Sequence, residues 1–512
     1  MFFTSLVCSS ALLCFCYFVT RSARRQPLPP GPEPKLFSGN LHQLPRSEAW
    51  KVFAKWSETF KSPILFYRIF GGKFVVLNTF KAANDLLEAR SNVYSDRPIG
   101  WMYNELVNRK MGVFFISSQH PRFKVYRRLL HSGLNPRAVG DYDEILDDER
   151  RILLGNLKSK PDDFMAHLRR AAGGIILKVT YGWTVADKDD YFVSLMEQSF
   201  AIAVEIMKPG RWLVEVFPLL RFVPSWLPGA GFKRKAAVWR EQLSEVDRKP
   251  YAWAKAQLKS GSYVPSFTSK HLSPEDGHTL DSEEEDIIKW CSAALYVGGA
   301  DTTVSGLVSF VLLMTMYPDV QRRAQAEIDE VVGKDRLPTW ADEASLPYVS
   351  SVIKEVLRVA PVTRLGLPHS VLCEDVYLGY CIPRGSTVIA NIWQDIFFHS
   401  PFMTTDLYPD PMIFNPSRFL ATPGKPPQQD PYKLVFGFGR RVCPGSHFAQ
   451  VSLFLNIAGI LAMFDISKAV DDQGLEVVPV MEYSNGITNH PLPFPCRIAP
   501  RAGASSLVLE HL

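Results

Sequence analysis

The residues best placed by type and spacing to do chemistry are Phe436-Gly437-Phe438-Gly439-Arg440-Arg441-Val442-Cys443-Pro444-Gly445. Glycines and a proline around one cysteine make a tight loop that can present sulfur to a planar group. Backbone N–H groups of such a loop can point at the sulfur and favour its anion. Arg441 adds positive charge, which lowers a thiol pKa or meets an anionic ligand. A helix beginning at Pro444 would aim its positive end at the thiolate. The competing reading is a structural cysteine in a glycine-rich turn. The eight cysteines form no CxxC pair, and three of them lie in an apolar N-terminus. That argues against a zinc ribbon or a disulfide framework and for a reducing compartment.

Two further patterns gain meaning beside that loop. In Glu355-Val356-Leu357-Arg358 the acid and the arginine share a helix face, which is common on any surface helix. In Gly298-Gly299-Ala300-Asp301-Thr302-Thr303 an acid and two hydroxyls interrupt a long apolar helix. One reading is a pair of core hydroxyls bonded to the carbonyls four residues back. The other is a groove that holds oxygen and water, with Thr302 donating to the distal oxygen and Asp301 relaying protons.

These stretches resemble the cytochrome P450 superfamily, whose pattern Phe-x-x-Gly-x-Arg-x-Cys-x-Gly is matched by Phe436, Gly439, Arg441, Cys443 and Gly445. The resemblance covers essentially the whole chain. It implies a mainly α fold with small β-sheets, the cytochrome P450 fold, preceded by one N-terminal transmembrane helix. It makes Cys443 the axial ligand of the iron of haem b, in a loop shaped by Phe436 and Gly439. Arg97, Arg127, His369 and Arg441 become the clamps of the two haem propionates. Glu355, Arg358 and Arg418, the last in Pro416-Ser417-Arg418-Phe419, become a buried network behind the haem. One departure is Phe123, where the family usually carries a tryptophan four residues before Arg127; stacking can survive there, but an indole donor is lost.

The implied activity is a monooxygenase that inserts one oxygen atom of O2 into a hydrophobic molecule. Its electrons come from NADPH through NADPH–cytochrome P450 reductase, with cytochrome b5 as a further donor. A haem-thiolate isomerase or dehydratase is the alternative, disfavoured by the Asp301-Thr302 pair, and a haem carrier or sensor is another. Residues 99–115, 297–303, 362–365 and 483–487 are expected to line a mostly apolar pocket with few polar anchors, in which Arg364 is the charge of the 362–365 stretch. Local phrases around residues 226–230 and 361–366 are similar to fungal members of secondary metabolism and detoxification. Arg128 and Arg440 are expected on a basic face for the reductase.

The elements that must position these groups follow from composition and patterning. With 46% hydrophobic and 12% aromatic residues the chain can bury a large interior. A net charge of +5 is too small to imply nucleic acid. Residues 2–20 carry no charge and precede Arg21, Arg24 and Arg25. That pattern predicts a transmembrane anchor over residues 1–20, in the endoplasmic reticulum with the catalytic domain facing the cytosol, in preference to a cleaved signal. Residues 21–40 read as a basic, proline-rich linker and 41–512 as the haem-thiolate domain. A strand is expected over residues 73–77, and a central helix from Glu284 to Met316, closed by Pro318. Residues 217–235 are either core or a lip at a membrane interface, and residues 396–403 look inserted.

Overall fold

Asp281 opens the central helix two residues earlier than the apolar pattern suggests. Its carboxylate accepts from the Glu284 backbone, and Glu284 returns the bond to the Asp281 N–H, a reciprocal cap. In this computed structural model residues 26–45, 47–186, 189–208, 210–274, 277–393 and 407–502 are described. The anchor expected over residues 1–20 and the insertion expected over 396–403 lie outside them.

The helices that carry the site are α1 (Ala49–Phe60), α2 (Pro121–Leu134), α3 (Phe164–Tyr181), α4 (Ser282–Met316), α5 (Pro347–Val359) and α6 (Ser446–Met463). The chain is mainly helical. Helix α4 is the axis of the body: residues 307–313 are fully buried, and α3, α5 and α6 pack around it. Burying each Leu, Val or Phe there contributes about 1.5–3 kcal/mol. Both α4 and α6 are long and apolar enough to cross a membrane, yet each lies mostly inside the body.

Among the described residues, strands form three small sheets. One has the order β1 (Ile64–Ile69), β2 (Gly72–Leu77), β6 (Thr387–Ala390) and β3 (His369–Ser370), with only the β2–β6 pair parallel. A two-stranded sheet pairs β4 (Asp375–Tyr377) with β5 (Tyr380–Ile382). The third joins β7 (Phe464–Val470) to β8 (Glu476–Val477) and β9 (Cys496–Pro500). The strand expected over residues 73–77 is β2. The proline-rich stretch is extended and lies against these sheets: Pro30 accepts from the Phe66 N–H at 2.9 Å and Pro27 from Cys381 at 2.8 Å. At Gly31 an added Cβ would stand 1.9 Å from the Phe66 carbonyl oxygen, so only glycine permits that approach.

Candidate functional site

The cysteine loop is closed by the Cys443 N–H, which donates to the Phe436 carbonyl at 2.8 Å. Gly439 turns the chain through the left-handed region at φ +51°, and a Cβ there would stand 2.5 Å from the Leu87 carbonyl oxygen. Helix α6 begins at Ser446, with Gly445 at its cap, and not at Pro444. Pro444 and Gly445 continue the loop for one more turn before the helix starts. The Gly445 N–H is thereby aimed at the Cys443 sulfur. Burial pushes the thiol above its ordinary range, while this N–H and the charge of Arg127 oppose it.

Four predicted cationic side chains gather beside the loop. Arg97 donates from Nη1 to the carbonyls of Leu367 and Pro368 at 2.8 and 2.7 Å, and from Nε to Phe114 at 3.0 Å. Arg441 donates to the carbonyls of Ser95, Val113 and Ile116, and Arg127 to that of Val442 at 2.7 Å. Strand β3 presents His369, whose Nδ1 bonds the Tyr94 carbonyl at 2.7 Å. Among the described residues, the hydrogen bonds of the three guanidiniums end on backbone carbonyls, and none on a carboxylate. Burial, reinforced by Arg441, pulls Arg97 down to about 9. Burial pulls Arg441 to about 10 and His369 to about 3, the latter also repelled by Arg97. Asp96 is the carboxylate whose charge reaches Arg97 and Arg441, with no hydrogen bond to either. The donor set fits haem: a thiol for the iron, and three guanidiniums with the His369 imidazole for its two carboxylates.

Glu355, Arg358 and Arg418 come together as expected. Arg358 grips Glu355 through Nε and Nη2 at 2.7 and 2.8 Å, and Arg418 Nε reaches Oε1 at 3.1 Å. The Asn415 N–H adds a bond to the same oxygen at 2.7 Å. Glu355 and Arg358 are wholly buried. The remaining guanidinium donors hold the carbonyls of Pro409, Pro411 and Ile413, so the network ties α5 to the chain that leads to the cysteine loop.

In the groove of α4 both hydroxyls bond back along the helix, Thr302 to the Gly298 carbonyl at 2.6 Å and Thr303 to Gly299 at 2.8 Å. The two glycines serve close packing. A Cβ on Gly299 would stand 2.6 Å from Cδ1 of Ile176 on α3, and one on Gly298 would stand 3.2 Å from the Phe114 ring. That second contact brings the 99–115 segment to the groove. Asp301 is held by Thr488, which donates to Oδ2 at 2.5 Å, and by His490, 3.0 Å from Oδ1. Sequence reasoning missed both partners. Neither belongs to a motif, and 187 residues separate Asp301 from Thr488. Arg364 lies between the rings of Trp50 and Tyr483, at 4.6 and 4.3 Å, and burial lowers it to about 10. Arg128 and Arg440 are both exposed.

A central helix with an acid–alcohol step, a thiol in a glycine-bearing loop and a cluster of guanidiniums make an arrangement that fits haem. Comparison with known proteins agrees. The family model "Cytochrome P450" matches residues 29–494. Cytochrome P450 monooxygenase 208 of Postia placenta is 41% identical over 98% of this chain and 95% of its own length. Cytochrome P450 monooxygenase claR of Ampulloclitocybe clavipes is 39% identical over 95% and 89%, and ppsD of Aspergillus oryzae is 37% identical over 99% and 96%. The chain thus belongs to the cytochrome P450 family, which carries haem, and is an oxidoreductase of that family acting on O2 and a substrate.

Proposed function

We propose that this chain inserts one oxygen atom from O2 into a hydrophobic small molecule, with electrons drawn from NADPH through a cytochrome P450 reductase and cytochrome b5 as a further donor. The observation that carries the reading is the sulfur of Cys443 under the Gly445 N–H, beside guanidiniums whose hydrogen bonds end on backbone carbonyls. Haem, when bound, supplies the binding and activation of oxygen. Cys443 ligates its iron in the loop that Phe436 and Gly439 shape, and Arg97, Arg127, His369 and Arg441 hold its carboxylates. Thr302 and Asp301 deliver protons to the groove. The acid–alcohol pair favours this activity over isomerisation or dehydration, which need no protons delivered to oxygen.

The Phe114 ring packed at Gly298 of α4 supports a hydrophobic substrate on that side of the helix. The fungal relatives named as monooxygenases support the same reaction class. Residues 1–20 serve as a single-pass anchor in the endoplasmic reticulum, 21–40 as the linker, and 41–512 as the domain facing the cytosol. Exposed Phe217, Leu219, Phe222 and Trp226 beside Arg221 support a lip lying in the membrane interface, as does the packing of Phe217 against Phe70. Exposed Arg128 and Arg440 support reductase docking on the cysteine-loop side.

The test is the reduced protein under carbon monoxide. The native chain shows the red-shifted Soret band of thiolate ligation, and Cys443→Ala loses it. An unaltered band in that variant would overturn the reading.

A further inference from the structure

Asp301 reaches solvent through a turn that is built to hold it. In residues 484–490, the Ser484 and His490 backbones are joined at 2.8 Å, the His490 N–H donates to Ser484 Oγ at 3.0 Å, and Asn489 Nδ2 donates to the Ser484 carbonyl at 2.7 Å. The turn is clamped to the body at two points. Ser305, one helical turn beyond Asp301, donates to the Asn489 carbonyl at 2.7 Å, and the Asn489 N–H donates to Val362 at 2.8 Å. From this fixed turn His490 Nε2 meets Oδ1 of Asp301 at 3.0 Å, while Thr488 occupies Oδ2. Each partner of the pair keeps 24% of its side chain open, so the pair spans the boundary between solvent and the helix. The other charge that acts on Asp301 is Arg169 of α3.

Resting on the monooxygenase reading, we propose that His490 is the positioning residue of proton delivery: beside Thr488, it docks the Asp301 carboxylate on the solvent side of α4. Burial acts to raise Asp301, and the His490 contact is first among the groups that hold it below the ordinary carboxylate range. A charged side chain at 490 would keep the acid docked, and an uncharged one would remove the ionic contact and leave the Thr488 bond to Oδ2.

The test uses the holoprotein in three forms, native, His490→Gln and His490→Lys. Infrared difference titration follows the carboxylic C=O band of Asp301, identified by its loss in Asp301→Asn. In His490→Gln the band appears at higher pH than in the native protein, and His490→Lys restores the native midpoint. A purely structural role for His490 predicts no such rescue. In parallel, hydrogen peroxide release is measured with a cytochrome P450 reductase and NADPH, without added substrate. His490→Gln releases more peroxide per NADPH consumed than the native protein, and His490→Lys restores the native ratio. Superimposable infrared titrations in native and His490→Gln protein would overturn the proposal. Absence of NADPH-driven oxygen consumption at any pH would instead overturn the monooxygenase reading, and with it the role of the dock.

Discussion

The guanidinium carbon of Arg441 lies 4.3 Å from the centre of the Phe123 ring. Where the family usually carries tryptophan, the stacked partner of this arginine is kept and the indole N–H is not. A cation over an aromatic face contributes about 0.5–2 kcal/mol. Phe123→Ala should therefore release haem faster, by up to about thirtyfold, in transfer assays to an apo-globin acceptor. Phe123→Trp should slow release by restoring a donor. Equal rates in all three proteins would show that the stack does not hold the haem side of the molecule.

Glu355 is wholly buried under two arginines. Glu355→Ala strands those charges, at about 3–5 kcal/mol. Chemical denaturation should show that loss, and little of the expressed variant should give the carbon monoxide band.

Helices α3 and α4 meet where Gly299 faces Ile176. A methyl there must move a branched side chain inside a packed core, so Gly299→Ala should lower stability by about 1–3 kcal/mol. Pairing it with Ile176→Val should recover part of the loss. Additive losses in a double-mutant cycle would refute the contact.

Thr302 spends its proton on the Gly298 carbonyl, which leaves its oxygen lone pairs for a proton-bearing partner. Thr302→Ala should raise peroxide release per NADPH consumed, while Thr303→Ala, whose hydroxyl bonds Gly299, should change it less. Identical peroxide yields would remove Thr302 from proton delivery.

Asp301 is held below the ordinary carboxylate range against the opposing effect of burial, chiefly by His490 and then Thr488. A carboxyl depressed on folding stabilises the native state above its unfolded-state value, and that contribution fades as pH falls through the folded-state value. The stability advantage of the native protein over Asp301→Asn should thus be full near neutrality and vanish in acid. An advantage that grows in acid would reverse the sign and exclude the ion pair.

Much of the site was legible because its pieces are local. The spacing of Phe436, Gly439, Arg441, Cys443 and Gly445 needs only a short loop, and Glu355 with Arg358 needs only one helical turn. The central helix was readable because its apolar run is long, and its start was misplaced by two residues because the Asp281 cap lies in a polar stretch. The start of α6 was misplaced by two as well, since Pro444, suited to a first turn, continues the loop instead.

By itself, then, the sequence determined the helical class and the family, and singled out the cysteine loop, since each is written in residues within a few positions of one another. Only the tertiary structure decided what Asp301 touches, why Gly298 and Gly299 are glycines, and that Arg364 rests between Trp50 and Tyr483. Those contacts join segments far apart in the chain, and no local pattern encodes them. They exist because burial of the apolar core brings α1, α3, α4 and the 484–490 turn together.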